Sequence, residues 1–139
     1  MAYTFTDHYR TVRLFLRLNG IFVGLALGLL LLIYPRDWLS AAGIALGSAW
    51  TARIGGSALI GLGIGLLSAS GESDLRPATL LAAMISNGAI AVSLLIAYVG
   101  GEMDSLHPLG ALVLLLVFII CLLTAVLPIP YLRARTEEF

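Results

Sequence analysis

Four apolar runs, with nearly all of the charge outside them, set the pattern of this 139-residue chain. They cover roughly 14–34, 52–67, 78–99 and 108–127. Each is close to the ~20 residues a helix needs to cross ~30 Å of hydrocarbon. Apolar positions within the runs are continuous and do not alternate, which predicts helices and not the strands of a closed barrel. A mean hydropathy of +1.01 fits a membrane environment. The expectation is an all-α integral membrane four-helix bundle, one domain over 1–139, because four crossings use most of the chain.

The punctuation between runs refines the elements. Pro35 ends the first helix, and the segment 37–46 is too short and too rich in Gly and Ala to span, which suggests an interfacial helix. Ser73 or Asp74 is placed to cap the third helix, with Pro77 tolerated in its first turn. Pro128 and Pro130 are expected to stop the fourth. Thr6 or Asp7 is placed to cap a helix that runs into the first span and sets Arg10, Arg13 and Arg17 on one face. That face reads either as an anionic-lipid or partner contact or as ordinary topology determination with snorkelling. The three arginines also resemble the charged start of a signal peptide, but the apolar run after them exceeds the usual ~7–15 residues, so a retained span is expected.

Charge supplies the orientation. All eight basic residues are arginine. Arg10, Arg13, Arg17, Arg76, Arg133 and Arg135 fall on one side of a four-span chain, and Arg36 and Arg53 on the other. Six against two puts both termini in the cytoplasm of a multi-pass protein of the bacterial inner membrane. Tyr34, Trp38, Trp50 and Tyr98 would form an aromatic belt at the opposite interface. Net charge is zero and only 12% of residues are charged, so there is no nucleic-acid footprint. With Cys121 the one cysteine, no intrachain disulfide can form.

Small residues repeat at four-residue spacing in the first two spans: Gly20, Gly24 and Gly28, then Ser57, Gly61 and Gly65, each set followed by two leucines. Lipid provides little hydrophobic drive between helices, so close backbone approach over small residues supplies the packing. The two stripes, a glycine zipper, are expected to face one another. Gly55, Gly56 and Gly63 make the second helix small on other faces too and suggest it as the centre of the bundle. The bulky fourth span, by contrast, is suited to lipid or a partner subunit.

Polar groups at membrane depth are the candidate functional residues. Arg53, near the outer end of the second span, reads as a partner for Glu102, Asp104 or Asp37, as a site for an anionic headgroup or solute, or as a snorkelling side chain. Asn19 and Asn87 lie at matching depth and suit either an amide bridge between helices or a ligand-binding pair. Ser57, Ser86, Ser93 and Thr124 can bond back to their own helices. His8 and His107 fall at opposite faces, so no shared metal or haem ligation is expected, and His107 reads as an interface residue.

Several small four-span classes are excluded by residues the chain lacks. The first span has no carboxylate for proton-coupled drug export, one cysteine cannot support thiol exchange, and no histidines at membrane depth are available for a bis-histidine cytochrome. Small fluoride channels share the size and glycine content, but their usual dual topology and polar break in the third helix are not matched by 78–99. No nucleophile–base arrangement or metal-ligand spacing is visible, so neither catalysis nor a cofactor is expected. The stretch Leu32-Ile-Tyr-Pro-Arg36, followed by Ala52-Arg-Ile-Gly-Gly-Ser-Ala-Leu-Ile-Gly-Leu-Gly63, resembles DoxX-like and related bacterial four-helix membrane families. The resemblance implies a four-helix bundle; the DoxX name is associated with a subunit of a quinol-oxidising enzyme, and no catalytic residue carries over. The functional expectation is a non-catalytic accessory subunit of a larger membrane assembly, or a homo-oligomer. The alternatives are a small transporter or channel near Arg53 and the Gly-rich second helix, or an enzyme subunit that borrows its cofactor.

Overall fold

The computed structural model describes residues 9–44 and 47–136. Those residues are all-helical, with four helices long and apolar enough to cross a membrane: Arg10–Ile33, Ala49–Gly71, Pro77–Val99 and Pro108–Arg133. We label the elements α1 (Arg10–Ile33), α2 (Arg36–Ala41), α3 (Ala49–Gly71), α4 (Pro77–Val99), α5 (Pro108–Val126) and α6 (Ile129–Thr136). Within α1 the stretch Asn19–Leu27 is π-helical, a widened form that recurs at functional positions.

Local chemistry explains where the helices stop. Tyr34 adopts a left-handed conformation (φ 54°) directly before Pro35, so α1 cannot continue. The short α2 lies across the far end of the bundle. There Gly43, also left-handed at φ 74°, sits against the backbone of Ser105, and the Ala42 carbonyl accepts the His107 amide at 3.2 Å. Ser48 and Thr51 share a 2.6 Å hydrogen bond at the start of α3. The second helix runs on to Gly71, past the expected end near residue 67, and Ser70 returns its hydroxyl to the Leu67 carbonyl at 2.7 Å.

Two other expected boundaries change. Neither Ser73 nor Asp74 caps α4: its N-cap is Arg76, with no side-chain cap, and Pro77 opens the first turn because that position needs no N–H. Pro128 interrupts the fourth helix, but the chain resumes as α6, whose first turn accommodates Pro130 for the same reason. The suggested caps Thr6 and Asp7 lie outside the described residues, as does His8.

The first span, not the second, is central. α1 lies against α3 along its length, touches α5 on its other side, and α4 packs on α5. α3 and α4 stay apart over most of their course. They are tied only at the end that carries the termini, where Val12 and Leu16 of α1, Leu66 of α3, Leu75 of the connecting loop, and Leu80 and Ala83 of α4 form one core. Tyr9 stacks at 5.1 Å on Tyr131 at this end, so both ends of the described chain meet there. Arg13 fastens the same end by donating to the carbonyls of Glu72 (2.6 Å) and Ser73 (2.8 Å). A second core, deeper in the bundle, joins Val23, Ala91, Val117 and Cys121.

Candidate functional site

The deepest polar feature is a knot of side chains from three spans. Asn19 lies nine residues past Arg10, Asn87 ten past Pro77 and Thr124 nine short of Arg133. At 1.5 Å per residue these are matching distances of ~14–15 Å from the same end of the bundle. All three side chains are fully buried. The Asn19 Nδ2 donates to Asn87 Oδ1 at 2.6 Å and to Thr124 Oγ1 at 3.2 Å, with the Cys121 Sγ at 3.9 Å. Asn87 Nδ2 in turn donates to the Ala83 carbonyl at 2.9 Å, and Thr124 Oγ1 donates to the Ile120 carbonyl at 2.7 Å.

These partners fix the direction of the network. Ala83 can only accept, so Asn87 must turn its amide nitrogen toward it and its oxygen toward Asn19. The Thr124 hydroxyl proton is committed to Ile120, so the hydroxyl can only accept from Asn19. Asn19 therefore presents its nitrogen to both neighbours and spends both protons. Its Oδ1 is left buried without a hydrogen-bond partner. A buried acceptor left unpaired costs about 1–3 kcal/mol. The knot links α1, α4 and α5 at the point where α1 turns π-helical.

The sequence-derived pair Asn19 and Asn87 is thus brought together. Thr124 was read as able to bond back to its own helix, and Cys121 as lacking a disulfide partner, so both were missed as members. Counting back from the arginine-rich tail, as was done forward for the two amides, would have exposed them: they sit three residues apart on one face at the same depth.

The other candidate residues are not brought to this site. Arg53 is exposed and makes no ion pair with Glu102, Asp104 or Asp37 among the described residues. Ser57 is exposed and donates to the Arg53 carbonyl at 2.9 Å, which closes its hydroxyl onto its own helix. His107 is an exposed N-cap for α5.

The glycine pairing needs a correction of phase. Gly20, Gly24 and Gly28 do press on α3, but against Gly56, Leu59, Ile60, Gly63 and Leu67. A methyl group on Gly24 would run into the Gly63 backbone, and one on Gly56 would meet the Gly28 carbonyl at 2.6 Å. Gly61 and Gly65 have nothing within 4 Å of where a side chain would begin. With Ser57 they occupy another face of α3. Both faces are small, so residue size alone did not identify the contact face.

Concavities also open between the spans. One, of about 450 Å³, lies between α4 and α5 and is lined by apolar side chains including Leu94, Tyr98, Leu106 and Phe118. Another, of about 470 Å³, runs between α3 and α4, past Gly61 and Gly65. Among the described residues no group of His, Cys, Asp and Glu is arranged to hold a metal ion. No family model, curated protein or solved structure matches the chain.

Proposed function

We propose that this chain is a non-catalytic integral membrane protein of the bacterial inner membrane, acting as an accessory or structural subunit of a larger membrane assembly or assembling with itself. One observation carries this reading: the buried Asn19 amide nitrogen bonds helix to helix, to Asn87 and Thr124, whereas Arg53 and Ser57, the residues a transport site was expected to use, lie on an outward face. Membrane-buried polar groups used in this way fasten a bundle. The fourth span suits the role of an assembly surface, since Leu112, Leu115, Leu116 and Ile119 all face outward. The arginine bias supports both termini in the cytoplasm. The DoxX-like resemblance, carried by 32–36 and 52–63, is compatible with a subunit role.

The test is gentle detergent extraction of the native protein followed by mass measurement of the intact particle. Co-migration of the 14.7 kDa chain with other subunits, or as a homo-oligomer, supports the proposal. A monomer that conducts solute in liposomes, with flux lost in Arg53→Ala, overturns it in favour of transport.

A further inference from the structure

We draw no further inference here: the strongest candidate, the apolar concavity between α4 and α5 lined by Leu94, Tyr98, Met103 and Phe118, has no charged side chain in its lining to select a ligand, and nothing in the structure shows what covers it.

Discussion

Two pairs of glycines in one helix have opposite surroundings. Gly56 and Gly63 are pressed against the backbone of α1, so tightly that neither has room for a methyl group. Gly61 and Gly65, a few residues away on the same α3, border open space. Composition, helix and local depth are nearly shared. The difference lies in phase: positions seven apart keep to one side of a helix, and only one side of α3 meets the first span. A glycine in a membrane helix is therefore a statement about its neighbour, and its role follows from which neighbour it faces.

That contrast can be broken most severely on the packed side. Gly63→Ala or Gly24→Ala should cost about 3 kcal/mol, since backbone would have to move to admit a side chain. A large fall in the thermal midpoint in detergent is the expected readout, and a midpoint within a degree of the parent would refute the packed interface. Next in size is the polar knot. Asn19→Leu and Asn87→Leu, alone and together, should show a coupling of about 0.6 kcal/mol and no more than about 1.7 kcal/mol. Additive losses would mean that the 2.6 Å bond between them contributes nothing net. Arg13→Ala should cost about 1 kcal/mol by releasing the loop carbonyls of Glu72 and Ser73, and should speed amide exchange in that loop first. The smallest effect belongs to the open face: Gly61→Ala should stabilise by about 0.5 kcal/mol through helix propensity alone. A loss there as large as at Gly63 would erase the distinction between the two faces.

Hydropathy made the four spans legible because length and continuity of apolar runs are dictated by bilayer thickness. Their helical ends were less so. α3 passed its expected stop because Ser68, Ala69 and Ser70 are small enough to continue a helix, and α6 formed because proline is harmless in a first turn. Depth counting paired Asn19 with Asn87 correctly, since the first and third spans start from the same end of the bundle and run the same way, so equal counts bring equal depths together. The same count taken back from the tail would have supplied Thr124, but its ability to bond its own helix hid the fact that its oxygen also accepts from Asn19. Nor did the pattern reveal which face of α3 meets α1, because both faces carry glycine and the deciding atoms belong to Leu59, Ile60 and Leu67 around the contact.

The π-helical stretch Asn19–Leu27 also constrains how this chain can change length over generations. A π-helical turn holds more residues than an ordinary one, so the widened stretch carries surplus length while the helix on either side keeps its phase. Losing one position there would let the stretch close to an ordinary helix, with Asn19 still on Asn87 and Gly28 still on α3. In the ordinary helix of α3, one residue is ~100° of rotation, and a loss between Gly56 and Gly63 would swing one of them off α1. Descendants of this sequence should tolerate a one-residue gap between Asn19 and Leu27 and none between Gly56 and Gly63.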